Sequence, residues 1–183
     1  PMFVAVPLGG AFLIALIGTQ RRRVPDGVAM TVAVSLAGLS MAAVWLVHAE
    51  GPQVYRVGGW APPFGIALVL DALSVFFLLT VSVVTLATTV YSIRYLDRYD
   101  AKGHFFTLFL LMLAGINGVV ITGDLFNLYV FLEVASVASY ALVAFGTERR
   151  EIEAAFKYAV MGSLGSLFVL FGIAFLYALT SSL

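Results

Sequence analysis

Glu133 lies nine residues after Asp124 and thirteen before Gly146 in an otherwise apolar run. At 1.5 Å per residue it is about 14 Å from one end of a helix. In a bilayer core an ionisable side chain costs ~2.5–3.5 kcal/mol on insertion scales, so such a group must face other helices or water. The chemistry open to it there is uptake and release of protons. The plainer alternative is a protonated acid acting as hydrogen-bonding glue between helices. Tyr129, Ser136 and Tyr140 stand at offsets of −4, +3 and +7 and share its helix face. Their hydroxyls would hold the waters a proton needs, or pack between helices. Asn117, one segment earlier and also deep, carries the same two readings.

Lys157 is the second charge inside an apolar segment, about one turn in and four residues after Glu153. The pair reads either as an interfacial salt bridge with a snorkelling lysine or as a positive partner reaching Glu133 through water. The backbones of Lys157 and Glu133 are expected ~12 Å apart along the membrane normal, too far for direct contact. His104 is placed to collect protons at the entry to its segment, or to be an ordinary interfacial histidine. Gly162 and Ser166 make a small-xxx-small spacing that lets helices approach closely.

The elements that must position these residues follow from composition. The chain has 183 residues, 62% hydrophobic and 11% charged, with a mean hydropathy of +1.04. Soluble domains carry ~25% charged residues, and disorder needs low hydrophobicity with high net charge, so both are excluded. The expected class is an all-α polytopic membrane protein, one transmembrane domain over 1–183. Six segments of ~20 residues are read at about 2–18, 27–48, 68–91, 104–122, 125–145 and 155–178. The apolar stretch Phe105 to Gly146 is too long for one span, and Thr122-Gly123-Asp124 breaks it, with Asp124 suited to cap the next helix. Asp71 is expected to do the same for the third. Gly58-Gly59 and Pro62-Pro63 favour extended structure in the second loop, with Tyr55 and Trp60 at headgroup level.

Ten basic and ten acidic residues cancel, which leaves no basic face for a nucleic-acid partner. Without cysteine there are no disulfides, thiolate metal sites or iron–sulfur clusters, and two histidines do not read as a haem pair. No cofactor, metal site or catalytic site of its own is expected, since no nucleophile–base set or phosphate loop appears. Eight of the ten basic residues (Arg21, Arg22, Arg23, Arg94, Arg98, Lys102, Arg149 and Arg150) fall in odd-numbered loops. The positive-inside rule then makes those loops cytoplasmic and the N-terminus external. Because the basic cluster follows the first apolar run, that run does not read as a signal peptide. The chain opens with Pro1, so residues upstream are expected.

The runs TGDLFNLYVFLEVASVASYALVAFG (122–146) and EAAFKYAVMGSLGSLFVLFGIAFLY (153–177), with VGGWAPPFGIALVLDALS (57–74) ahead of them, resemble a known family. These are the antiporter-like subunits of Mrp-type cation/proton antiporters, membrane-bound hydrogenases and respiratory complex I. The nearest likeness is to the D-type subunit of the Mrp antiporters and its hydrogenase counterpart. The resemblance implies the N-terminal part of a fourteen-helix bundle with two inverted five-helix repeats. It matches Glu133 to a fifth-helix glutamate essential to ion translocation, and Lys157 to a sixth-helix lysine. The partners implied are the lipid bilayer and other membrane subunits of a prokaryotic-type cell membrane, and the ions protons and Na+. The sequence stops after the sixth segment, without the family's seventh-helix lysine. The expectation is therefore part of a longer subunit, or a split subunit completed by a neighbour. The competing expectation is a non-conducting structural subunit that only docks neighbouring helices.

Overall fold

The structure, a computed structural model, describes residues 1–17, 23–60, 65–99 and 101–180. Arg21, Arg22 and Pro62-Pro63 lie outside the described residues. In chain order the elements are α1 (Met2–Ile17), α2 (Val24–Glu50), β1 (Gln53–Arg56), β2 (Ala67–Leu70), α3 (Ala72–Tyr95), α4 (Lys102–Ile121), α5 (Leu125–Val143) and α6 (Arg149–Thr180), with short 3-10 turns at Val57–Gly59 and Leu96–Arg98. Five helices, α2 to α6, are long and apolar enough to cross a membrane. The 16 residues of α1 reach about 24 Å, short of a ~30 Å hydrocarbon core.

Two helices, α3 and α5, start on an aspartate cap. Asp71 caps α3, its Oδ1 accepting from the Ser74 backbone N–H at 2.8 Å, and Asp124 caps α5 through Asn127 N–H at 2.6 Å. The third segment, expected from residue 68, begins as a helix only at Ala72. Residues 67–70 instead form β2, paired antiparallel with β1 from Gln53↔Leu70 to Arg56↔Ala67. The turn after β1 runs through Gly58 and Gly59, both at positive φ. The sixth helix starts at Arg149, earlier than expected, so Lys157 lies more than two turns inside it.

The core is a helix bundle centred on α4, which packs between α1 and α5 and touches α2 and α3. Phe106 and Leu110 of α4, Ile14 of α1, Leu36 of α2 and Leu78 of α3 are sealed from solvent. Asn117 of α4 donates its side-chain N–H to Phe3 O at 2.9 Å, so the start of α1 lies beside the end of α4. The chain start also shares a small apolar cavity with Tyr55, Leu68 and Ile121. Arg23, Asp26, Asp97, Tyr99 and Lys102 surround a polar cavity of ≈ 500 Å³ at the other end.

Lys102 departs from its expected place in a solvated loop. It is the first residue of α4 and its side chain is 7% exposed. Its Nζ reaches Asp26 at 2.8 Å, Asp97 at 2.7 Å and Ile93 O at 2.6 Å. Three donors meet three acceptors, which is what an ammonium needs away from water. This contact ties the ends of α2, α3 and α4 together.

Candidate functional site

The helix that carries Glu133 is fixed at its start. Thr122 pairs antiparallel with Leu68 of β2, and Gly123 donates its N–H to Ala67 O at 2.9 Å. A side chain at 123 would run into Val69, so glycine permits the approach. The buried Asn127 side chain reaches Thr122 Oγ1 at 3.0 Å. From there α5 lies antiparallel on α4, with Phe131 over Gly118 and Ala135 against Gly115; a Cβ at either glycine would collide with them.

That packing sets the direction of the glutamate. Phe131 and Ala135 mark the face turned to α4, and Glu133, two residues from each, stands about 200° around the helix. It therefore points away from α4, on the face it shares with Tyr129, Ser136 and Tyr140. Glu133 is half-buried, and its Oε1 is shielded from water with no hydrogen-bond partner among the described residues. A carboxylate oxygen is an acceptor of high capacity, and leaving it unpaired costs free energy.

Beside this face runs the α5–α6 contact. The Tyr140 ring meets Tyr158 edge to face, centroids 4.7 Å apart, and its hydroxyl lies over Gly162, where a Cβ would strike it. Ser139 Oγ stands 2.7 Å from Ser136 O and 3.3 Å from the Tyr158 hydroxyl. If the serine donates to the carbonyl, the tyrosine can donate to the serine, giving one hydroxyl chain across the two helices. Ser139 and Tyr158 were not singled out from sequence; the signal was there, since Tyr158, Gly162 and Ser166 recur every four residues.

The remaining sequence candidates lie elsewhere. Lys157 is paired with Glu153 at 2.5 Å, their side chains 71% and 60% exposed. The Tyr140–Gly162 and Ser139–Tyr158 contacts put Lys157 level with the end of α5, roughly 13 Å below Glu133 by helical rise. The structure does not bring the two together. Asn117 faces α1, away from the glutamate, where its side chain bonds Phe3 O. His104 is exposed in the first turn of α4. Among the described residues, no group of His, Asp and Glu is placed to hold a metal ion.

A family model for the transmembrane region of NADH:quinone oxidoreductases and Mrp antiporters matches residues 122–183, and one for the N-terminus of chain 5 of NADH-ubiquinone oxidoreductase (complex I) matches residues 60–106. The chain is 44% identical to the N-type subunit of the NADH-quinone oxidoreductase of Desulforudis audaxviator (strain MP104C), over 100% of this chain and 37% of that protein. It is 30% identical to the D-type subunit of the Na(+)/H(+) antiporter of Bacillus subtilis (strain 168), over 98% of this chain and 36% of that one. Its fold superposes with a TM-score of 0.91 on a chain of the membrane-bound sulfane sulfur reductase, an archaeal respiratory membrane complex, at 30% identity, over 99% of this chain and 37% of the other. The chain thus spans just over a third of the length of these relatives.

Proposed function

The chain belongs to the antiporter-like membrane subunits of the Mrp antiporter and NADH:quinone oxidoreductase family, and from that premise we propose that it translocates protons within a multisubunit membrane complex, with Glu133 as the group that carries them. The observation that carries this reading is the shielded, unpartnered Oε1 of Glu133 on a mid-helix face. An ionisable group at that depth is a translocation candidate by default, and an oxygen with no fixed partner is free to take a proton or a bridging water.

In this reading Tyr129, Ser136 and Tyr140 line the hydrated side of α5, and the Ser139–Tyr158 pair extends the line toward the end of α6. Lys157 does not touch Glu133; with Glu153 it sets the charge at the mouth of that seam, and His104 stands at the same end of the bundle. All six helices cross a prokaryotic-type cell membrane, the short α1 included. The N-terminus is outside and the odd-numbered loops are cytoplasmic, a reading supported by the basic residues in those loops. Other membrane subunits cover the exposed faces of α5 and α6, and Na+ is the second ion where the complex is an antiporter.

The test is Glu133→Gln in the intact subunit, reconstituted with its complex in vesicles. Proton-coupled transport is expected to vanish while assembly, read by native mass spectrometry, is retained. Transport at the unmodified rate would sink the reading.

A further inference from the structure

The end of α3 presents an aromatic ladder to the outside of the bundle. Tyr91, Tyr95 and Tyr99 are 64%, 42% and 37% exposed. Tyr91 stacks on Tyr95 at 5.2 Å, and Tyr95 and Tyr99 stand 6.4 Å apart. Arg98 lays its guanidinium over both, its Cζ 3.9 Å from the Tyr95 ring centre and 5.6 Å from that of Tyr99. Arg94, one turn earlier, is exposed as well. Asp97 between them lies 2.7 Å from the buried Lys102, which it shares with Asp26, so its charge is answered in part and the two arginines outweigh what remains of it. Tyr99 continues to Phe145 at 5.7 Å, and Phe145 to Phe105 at 5.4 Å, which anchors the ladder on α4 and the end of α5.

We propose that this ladder docks the headgroup of an anionic phospholipid, Arg98 and Arg94 taking the phosphate while Tyr95 and Tyr99 hold the Arg98 guanidinium flat beneath it. A stacked guanidinium keeps its edge N–H groups available for two parallel hydrogen bonds to phosphate oxygens. The ring face adds a cation–π attraction that grows as water is excluded. The position fits the occupant: α3 ends at Tyr95, where the apolar run gives way to charge, the depth at which tyrosine rings and lipid phosphates meet. Phe77 and Val84, exposed at seven-residue spacing before Tyr91, share its helix face and offer an apolar track for an acyl chain. Two cations facing one phosphate favour a headgroup with net negative charge over a zwitterionic one. Nothing in this site involves Glu133, so it stands apart from the translocation reading.

The test uses the intact subunit in nanodiscs of mixed phosphatidylglycerol and phosphatidylcholine, released into the mass spectrometer with its retained lipids. The wild-type protein is expected to keep phosphatidylglycerol in preference. Arg98→Gln is expected to lose that preference entirely, and Arg98→Lys, which keeps the charge without the flat stack, to weaken it several-fold. Arg56→Gln, at the hairpin end, is expected to leave it unchanged. Equal retention of both lipids by the wild type overturns the proposal, as does a preference surviving in Arg98→Gln. Tyr95→Leu keeps every charge and decides the geometry should Arg98→Gln not be recovered: an unweakened preference there overturns the proposal too.

Discussion

The unpartnered Oε1 of Glu133 is a debit when stability alone is considered, because a buried polar atom without a hydrogen bond costs ~1–3 kcal/mol. Replacing Glu133 by Leu should therefore raise the melting temperature of the detergent-solubilised subunit, or leave it level, while abolishing transport. A fall of several degrees would instead identify the glutamate as glue between helices. Lys157 sits at the opposite extreme. Its pair with Glu153 is exposed on both sides, and such pairs are worth ~0–1 kcal/mol. Lys157→Ala should shift stability by less than about 0.5 kcal/mol and leave assembly intact, read by thermal unfolding and native mass spectrometry.

Among the elements, the α5–α6 contact depends on one missing Cβ. Gly162→Ala should cost ~1–3 kcal/mol, because the new methyl meets the Tyr140 hydroxyl. Tyr140→Phe in the same chain removes the most closely struck atom but keeps the ring Cζ, which would lie 2.7 Å from the new methyl, and should recover part of the loss in a thermal scan. The cap of α3 is sensitive to acid. The Ser74 backbone N–H holds the Asp71 carboxyl below the usual carboxylate range. A depressed folded value means that the cap stabilises at neutral pH and that its contribution fades as pH falls through that lowered value. The stability advantage of wild type over Asp71→Asn should shrink in step, measured by unfolding across the acid range. These caps were legible in the sequence because each aspartate stands at the break just ahead of an apolar run. The β2 strand was not: Ala67–Leu70 is a four-residue apolar run parted from the next helix by Asp71 alone, and short apolar runs do not reveal whether they are strand or helix. The face of Glu133 was readable from helical spacing, whereas its neighbours on α6 depend on how Gly162 meets Tyr140, a contact no local pattern states.

At the scale of the whole molecule the least legible feature was Lys102, which the count of loop charges had placed in solvent. Its partner Asp26 lies 76 residues away in sequence, and only the bundle brings them together. Lys102→Met leaves Asp26, whose side chain is 20% exposed, without its cation; breaking a fully buried pair costs about 3–5 kcal/mol, so the loss here should lie at or below the low end of that range. A mutant that unfolds at the wild-type temperature would show the clamp to be dispensable. Orientation can be measured directly, since the chain has no cysteine: Val54→Cys on the hairpin and His104→Cys at the start of α4 should label from opposite sides of sealed vesicles. The way α5 is held also limits what can move inside the protein. Its first residues are tied to β2 through Gly123 and Ala67, and lower down Phe131 rests over Gly118. Sliding the helix by one residue would set that ring against a residue with a side chain, and turning it would break the tie at its start. Under the proposed function, a proton handed on at position 133 would then travel with the carboxylate as it swings about its own χ angles. Side-chain swings are among the faster motions of a protein, where a helix shift needs microseconds or longer, so in that reading the helix is the fixed post and the side chain the hinge.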